Sequence, residues 1–245
     1  MSALLQTRDL TRSFGGIVAV DGCSIAIEPA SITGLIGPNG SGKTTLFNLI
    51  TGVYQPDSGE IFFRDQRVTG LPSHRRCLRG ISRTFQITRL FWERTVLENM
   101  IIPVPHVGAR ALLGPDMLRH EEERAMELLE RVGLAHLRHE SARKLSFGQQ
   151  KLLELTAVLM SEPEIVLLDE PAGGVNPTMI RFMMELIRSL NQDKHMAFLV
   201  VEHNMGVVME LCERVVVLDQ GSVIADGLPS EIRTDPIVLD AYLGT

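Results

Sequence analysis

Residues 37–45 have the composition of a phosphate-binding loop. They read Gly-Pro-Asn-Gly-Ser-Gly-Lys-Thr-Thr, which fills the glycine-rich P-loop pattern without a mismatch. The apolar run at residues 32–36 predicts a buried strand before the loop, and residues 44–50 predict the helix that the loop opens. A P-loop requires this order of strand, glycine turn and helix, so the sequence predicts a site for a nucleoside triphosphate.

Each part of this loop has a predicted role. Gly37, Gly40 and Gly42 lack a Cβ, so backbone N–H groups can close around the β-phosphate at the positive end of the helix. Lys43 is predicted to reach the β- and γ-phosphates, and Thr44 to offer its hydroxyl to Mg²⁺. The candidate nucleotide-binding residues of the loop are Gly37, Pro38, Asn39, Gly40, Ser41, Gly42, Lys43, Thr44 and Thr45.

A second apolar run, residues 165–168, ends in Asp169 and Glu170. We expect Asp169 to hold the Mg²⁺ water shell, and Glu170 to lie beside the γ-phosphate and act as general base on an attacking water. Taken alone, the pair would be interpreted as two solvated acids at a strand end. The P-loop upstream favours the catalytic interpretation.

Residues 145–150, Leu-Ser-Phe-Gly-Gln-Gln, precede a predicted helix at residues 151–160. Ser146 and Gln149 have the spacing of a capping box, in which each side chain accepts a hydrogen bond from the other residue's backbone N–H. Such a helix end keeps further N–H donors for an anion. In isolation, the same residues would indicate no more than a helix cap.

The composition argues against several classes of protein. A formal net charge of −6 over 245 residues argues against broad electrostatic attraction to nucleic acid or anionic lipid. Cys23, Cys77 and Cys212 lie far apart, which suggests neither a zinc site nor a disulfide framework and fits a reducing cytosol. No run of about 18 apolar residues and no export signal is present, so we expect any work at a membrane to depend on docking.

The order of predicted elements indicates an α/β fold. The first thirty residues predict a small antiparallel sheet, and a pair of short strands follows at residues 60–64. The stretch from 95 to 160 has helical periodicity, with Gly133 as a helix stop and residues 103–115 as a mobile connector. Later runs at 197–201 and 215–218 predict more strands of a parallel core interrupted by the helical insertion.

Together, the P-loop, the strand that ends in two acids and the 145–150 motif resemble the ATP-binding-cassette (ABC) ATPases. The resemblance covers essentially the whole chain. It implies a P-loop ABC cassette with a RecA-like parallel-sheet core, an N-terminal antiparallel β subdomain and an inserted α-helical subdomain. It also implies that Ser146, Gly148 and Gln149 contact the γ-phosphate held by a second copy, so that two cassettes sandwich two ATP molecules head to tail. The implied division is one domain, residues 1–245, with the nucleotide-binding core and β subdomain at 1–87 and 161–245 and the helical subdomain at 88–160.

Three other positions match the family's order of motifs, and a fourth departs from it. Phe14 matches the aromatic residue that stacks on adenine, and Gln86 matches the glutamine that senses Mg²⁺ and faces the membrane partner. His203 matches the switch histidine that contacts the γ-phosphate. Asn176 stands where the family usually has Asp, which puts the hydrogen bonding between the two cassettes in doubt because an amide also donates and carries no charge.

Some stretches resemble one subgroup, the ATP-binding subunits of branched-chain amino acid importers. They are residues 84–91, 173–177, 202–205 and 241–244. The resemblance implies ATP and Mg²⁺ as cofactors, a second cassette, two integral-membrane permease subunits and, indirectly, a solute-binding protein. It implies no nucleic-acid partner and a place on the cytoplasmic face of the inner membrane, held through the permeases.

Other functions stay open at this point. Importers of urea and other small amides share much of this subgroup's sequence. A lipid exporter or a soluble ABC ATPase would share the chemistry of ATP hydrolysis. A switch GTPase lacks support, since residues 191–194 do not have the guanine-reading order NKxD.

A basic segment at residues 74–79, continued by Arg83 and Arg89, has two interpretations. It could be a solvated helix face. Alternatively, part of it lines the groove beside Gln86 that receives a cytoplasmic helix of the permease, in which case Arg76 and Arg79 would be needed for the complex and dispensable for ATP binding.

Overall fold

The computed structural model describes residues 2–84, 89–102, 104 and 115–243. Their strands are β1 Leu5–Phe14, β2 Ile17–Cys23, β3 Ala26–Ile27, β4 Ile32–Ile36, β5 Ser58–Phe63, β6 Gln66–Arg67, β7 Ile81–Arg83, β8 Ile165–Asp169, β9 Ala197–Val201, β10 Arg214–Asp219 and β11 Ser222–Gly227. Their helices are α1 Lys43–Ile50, α2 Ser73–Cys77, α3 Val96–Ile101, α4 Pro115–Arg131, α5 Phe147–Leu159, α6 Pro177–Lys194, α7 Met205–Leu211, α8 Pro229–Ile232 and α9 Pro236–Leu243. Within these ranges, no helix is both long enough and apolar enough to cross a membrane.

The central sheet has the strand order β11-β10-β4-β9-β8-β7, in which β11 is antiparallel to β10 and the other neighbours are parallel. Every residue of β4, β8 and β9 is buried, as expected for parallel strands covered on both faces. The runs predicted to be strands at 32–36, 165–168, 197–201 and 215–218 are β4, β8, β9 and β10. The predicted parallel α/β core is confirmed.

The two faces of this sheet belong to two hydrophobic cores. Leu167 of β8 packs in the core that contains α1, whereas its neighbours Val166 and Leu168 pack in the core that contains α5 and α6. Successive side chains of a strand point to opposite faces. Helices α1 and α5 therefore lie on opposite faces of the central sheet.

The first strands form the predicted antiparallel sheet, in the order β2-β1-β5-β6 with β3 beside β1. The pair of strands predicted at residues 60–64 is β5 and β6, and the predicted range was wrong. Arg64 (φ +49°) and Asp65 (φ +59°) form the turn between them, so the predicted range holds most of one strand and the first turn residue.

Helices α3, α4 and α5 lie in the stretch predicted to be helical. Helix α4 ends at Arg131, and Gly133 (φ +71°) donates its N–H to the carbonyl of Glu130, so the glycine lies just past the helix end as predicted. Most of the predicted connector at 103–115 lies outside the described residues. The subdomain boundaries at 88 and 160 stay a prediction.

Arg76 in α2 fits neither interpretation of the basic segment, because it is buried; the role of the other basic residues stays a prediction. Its side chain is fully buried, and burial lowers the pKa of the guanidinium to about 10. It donates hydrogen bonds to the carbonyl oxygens of Leu49, Ile50, Thr69 and Leu71. Arg76 therefore closes the end of α1 against the chain that enters α2 and is neither solvated nor free to bind a partner, whereas its neighbours Arg75 and Arg79 are exposed.

We expect Arg76→Met to lower the free energy of unfolding by about 3 kcal/mol or more, because it leaves several buried carbonyl oxygens without donors. Urea unfolding followed by circular dichroism measures the change. Arg75→Met, which removes an exposed arginine from the same helix, is the matched control and should shift stability by no more than about 0.5 kcal/mol. Equal stability of the two variants would contradict a structural role for Arg76.

Candidate functional site

The candidate residues gather at one edge of the central sheet. Strands β4, β7, β8 and β9 run parallel, so their carboxyl ends lie at the same edge. Residues 37–42 follow β4, and Asp169 ends β8. Two residues beyond β9 comes His203, and Arg83 ends β7. Ligands of open α/β sheets bind at this edge, in the crevice outside the strand ends.

Close backbone contacts around the P-loop require glycine. Gly37 (φ +149°) and Gly42 (φ +102°) have conformations that side chains rarely adopt, and a Cβ on either would collide with a backbone carbonyl of Leu218 or Ala19, respectively. The loop then enters α1 at Lys43. The glycines therefore let the loop lie tightly between β10 and β2.

Lys43 is buried inside the loop that precedes it. Its Nζ donates hydrogen bonds to the carbonyl oxygens of Gly37 (2.8 Å) and Pro38 (2.7 Å) and to Oγ of Ser41 (3.2 Å). Burial lowers the pKa of Lys43, and the carboxylates of Glu170 and Asp169 oppose that shift. Asn39, Gly40 and Thr44 are exposed, and Thr45 is partly exposed.

Glu170 and His203 form a hydrogen-bonded pair. Nε2 of His203 lies 2.8 Å from Oε1 of Glu170, so two predicted site residues that are 33 positions apart in sequence meet. The backbone of Glu170 is left-handed (φ +49°), and its N–H donates to the carbonyl of Val201 on the neighbouring strand. Strained backbone of this kind is concentrated at functional sites.

Asp169 is buried beside Arg83. Nη2 of Arg83 lies 3.1 Å from Oδ2 of Asp169, and their side chains are 9% and 4% exposed. Burial raises the pKa of Asp169, and the guanidinium of Arg83 opposes that shift. Sequence reasoning interpreted Arg83 as part of a solvated face or of a permease groove and missed this pairing, because nothing local in the chain indicates a partner 86 positions away.

Oxygen donors suited to Mg²⁺ are available at this edge. The Thr44 hydroxyl and the Asp169 carboxylate are hard ligands, and both residues line one cleft of about 650 Å³. The described side chains contain no group of three or more His, Cys, Asp or Glu that could hold a metal ion. The donor set fits an ion that shares its coordination with phosphates and water, which is how Mg²⁺ is usually bound.

Glu202 organises the loops around the Glu170–His203 pair, a role that sequence reasoning missed. Its carboxylate accepts hydrogen bonds from the backbone N–H groups of Ala172 (2.6 Å), His203 (3.2 Å) and Asn204 (3.4 Å). Burial raises the pKa of Glu202, and these N–H donors oppose the shift. A carboxylate directly after the apolar run 197–201 is the signal that could have identified it, as it identified Asp169.

The motif at 145–150 begins helix α5 as predicted. Ser146 N–H donates to Oε1 of Gln149 (2.9 Å), and Gln149 N–H donates to Oγ of Ser146 (3.4 Å), which completes the capping box. A Cβ on Gly148 would lie 3.2 Å from the Met179 side chain. The motif is therefore packed against the start of α6.

Asn176 also caps a helix. Its Oδ1 accepts a hydrogen bond from the N–H of Met179 (2.9 Å) at the start of α6, and Pro177 occupies the first helical position. The side-chain oxygen needed for this cap is present in Asn and Asp alike. The departure from the family's Asp therefore leaves the local structure intact.

Phe14 lies at the tip of the β1–β2 hairpin, with 39% of its surface exposed. Tyr54 meets its ring edge-on (5.3 Å between centroids), and the guanidinium of Arg12 lies 4.8 Å from the ring centroid. Strand β2 of this hairpin contacts the P-loop near Gly42. Gln86, the remaining predicted site residue, lies outside the described residues.

Two family profiles match the sequence. Residues 20–173 match that of the ABC transporters, and residues 222–245 match one described as branched-chain amino acid ATP-binding cassette transporter. The first covers more than half of the chain and includes the P-loop, Asp169, Glu170 and the capping box of α5.

Relatives align over almost the full length. The high-affinity branched-chain amino acid transport ATP-binding proteins BraF of Pseudomonas aeruginosa and LivG of Escherichia coli K12 are each 40% identical, over 98% of this chain and 98% of their own. A nucleotide-free ATP-binding cassette from an ABC transporter superposes with a TM-score of 0.89 at 33% identity, over 99% of this chain and 100% of its own. An ATP-binding cassette of an ABC transporter in its ADP conformation gives a TM-score of 0.88 at 32% identity, over the whole of both chains.

We expect Glu202→Gln to destabilise the fold by about 1–3 kcal/mol, because the amide has one acceptor oxygen and turns donors toward backbone N–H groups. Urea unfolding measures the loss. Glu213→Gln, a change of the same kind at an exposed position just after α7, is the control. The organising role of Glu202 is refuted when both variants unfold at the same urea concentration.

Proposed function

Because this chain belongs to the ABC transporter family of ATPases, we propose that it is the ATP-hydrolysing subunit of an importer for branched-chain amino acids. The observation that carries the chemistry is the meeting of Lys43, Asp169 and the Glu170–His203 pair at one sheet edge. The full-length similarity to BraF and LivG supports branched-chain amino acids as the transported solute.

The P-loop is the proposed site of the ATP phosphates. The backbone N–H groups of residues 39–45 and the ammonium of Lys43 bind them, and the carbonyl contacts of Lys43 give way to phosphate oxygens. Phe14 stacks on the adenine, with the β1–β2 hairpin placing it beside the loop. The ring of Phe14 is exposed enough to offer one face.

Thr44 and Asp169 are the residues that would hold Mg²⁺, together with Gln86. The ion supplies charge that neutralises the phosphates during transfer. Glu170 orients and deprotonates the attacking water as general base. His203 fixes the Glu170 carboxylate through the 2.8 Å hydrogen bond, and we infer that it contacts the γ-phosphate.

A second cassette completes the site. Helix α5 lies on the face of the sheet opposite α1. The sheet therefore separates the P-loop from the N-terminal end of α5, which is formed by Ser146, Gly148 and Gln149 and is proposed to bind phosphate. ABC transporter ATPases work as dimers with membrane permease components. We infer that two chains, or this chain and a paralogue, close head to tail on two ATP molecules.

Two permeases and an external solute-binding protein are the further partners that we propose, which would hold the chain at the cytoplasmic face of the inner membrane. The cleft lined by Tyr54, Arg83 and Arg89 is open beside the metal-site residues and is the proposed place for a permease helix. Arg76 has no part in this docking. Import of urea or small amides and export of lipid are less favoured, because residues 222–245 match the branched-chain profile.

We expect Glu170→Gln to retain ATP binding, to accumulate as a nucleotide-bound dimer and to hydrolyse ATP about 10²–10⁴ times more slowly, because the general base is lost. Phosphate release and size-exclusion chromatography with ATP measure the two effects. Glu185→Gln at an exposed position on α6 should behave as the unaltered chain, and Lys43→Ala should lose nucleotide affinity. Hydrolysis by Glu170→Gln at the unaltered rate would rule out Glu170 as the base.

An affinity pull-down tests the transport assignment. The tagged chain is recovered from detergent-solubilised native membranes, and the proteins that come with it are identified by mass. We expect two different polytopic membrane proteins. Recovery of soluble partners or nucleic acid alone would be compatible with the ATPase activity but would refute the assignment as an importer subunit.

A further inference from the structure

Arg83 bridges the two elements that carry the candidate metal ligands. It ends β7, and its guanidinium is bonded on one side to Asp169 of β8, at 3.1 Å. On the other side, Nη1 donates to Oδ1 of Asn48 (2.6 Å) and lies 3.3 Å from Oγ1 of Thr51, both in or directly after α1. One side chain thus joins the helix that follows the P-loop to the strand that ends in the acids.

The position of these contacts on α1 matters. Asn48 follows Thr44 by four residues, so the two side chains lie on the same face of the helix, one turn apart. Thr51 continues that face. Thr44, Asn48, Thr51, Arg83 and Asp169 all line the same cleft. The guanidinium therefore holds the C-terminal turns of α1 at a set distance from β8. Thr44 lies on the same face of the helix, one turn closer to the P-loop than Asn48.

Stability alone does not account for this arrangement. A buried ion pair gives little net stability over apolar residues of similar volume, because both charges must leave water. Arg76 shows how the fold uses a purely structural arginine: its partners are carbonyl groups alone. Arg83 is instead bonded to the one carboxylate that the site requires at the metal.

We propose that Arg83 is a positioning residue of the ATPase reaction, which sets the separation between the Thr44 hydroxyl and the Asp169 carboxylate so that both serve one Mg²⁺. The inference rests on the proposed function. The planar fork of arginine is needed because it bonds to Asp169 and Asn48 at once, whereas a lysine ammonium is a single point charge on a flexible stem.

The test compares Arg83→Gln and Arg83→Lys in the full chain. Affinity for a fluorescent ATP analogue is measured with EDTA and then across a Mg²⁺ titration, and Mn²⁺ bound in the presence of nucleotide is counted by electron paramagnetic resonance. We expect affinity in EDTA to stay within about twofold in both variants. The divalent-ion concentration needed for half-maximal binding and hydrolysis should rise about 10- to 100-fold, as when an outer-shell partner of a metal ligand is lost.

Two controls separate positioning from folding. Arg131→Gln removes an arginine that is paired with Asp193 on α6, on a part of the chain that contributes no residue to the site, and should leave the metal requirement unchanged. The double variant of Arg83→Gln with Asn48→Ala should need no more metal than Arg83→Gln alone, since residues that act as one unit are not additive.

Three outcomes would overturn the proposal. One is a metal requirement in Arg83→Gln equal to that of Arg131→Gln. The second is an equal loss of ATP affinity with and without the ion, which indicates general damage. The third is full restoration by Arg83→Lys, which would show that charge beside Asp169 suffices. If the unaltered chain neither binds nor hydrolyses ATP, the proposed function fails instead.

Discussion

The parallel pairing of β4, β9, β8 and β7 is the constraint on which the rest of the structure depends. Strands that are buried on both faces must be apolar along their length, so polar residues are confined to their ends. Because the strands are parallel, those ends meet at one edge. The P-loop, Asp169 with Glu170, and His203 are brought together there by backbone hydrogen bonds that involve none of their side chains.

This edge of the sheet brings charged side chains together in a partly buried environment, and each of them has partners. Burial lowers the pKa of Lys43 and raises the pKa of Asp169 and Glu202. Each shift is opposed by a partner: carboxylates near Lys43, Arg83 at Asp169, and backbone N–H groups at Glu202. Hydrogen bonds also hold these side chains in place: loop oxygens hold Lys43, Arg83 holds Asp169, and backbone N–H groups hold Glu202.

The same sheet separates α1 from α5. Alternation of side chains along β8 assigns the two helices to different cores, so the P-loop and the capped end of α5 lie on opposite sides. In the proposed head-to-tail dimer, this helix end would bind the nucleotide of the second cassette. The proposed permease cleft lies at the edge of the sheet that β7 forms.

Local patterns in the sequence determined much of this protein. The P-loop, the strands at 32–36 and 165–168, the capping box of Ser146 and Gln149, and the helix stop at Gly133 all depend on residues within a few positions of one another. The resemblance to ABC ATPases depends on those patterns. His203 is predicted as a site residue through that resemblance, whereas Glu170 is also predicted from the apolar strand that ends in two acids.

Only the tertiary structure decided the roles of Arg76, Arg83 and Glu202. Arg75, Arg76 and Arg79 look alike in sequence, yet only Arg76 meets carbonyl groups from residues 49, 50, 69 and 71. The carboxylate partner of Arg83 is 86 residues away, and Glu202 receives an N–H from a loop 30 residues earlier. Whether a charged side chain is solvated or buried is set by what the fold packs around it, and that information is not local to the chain.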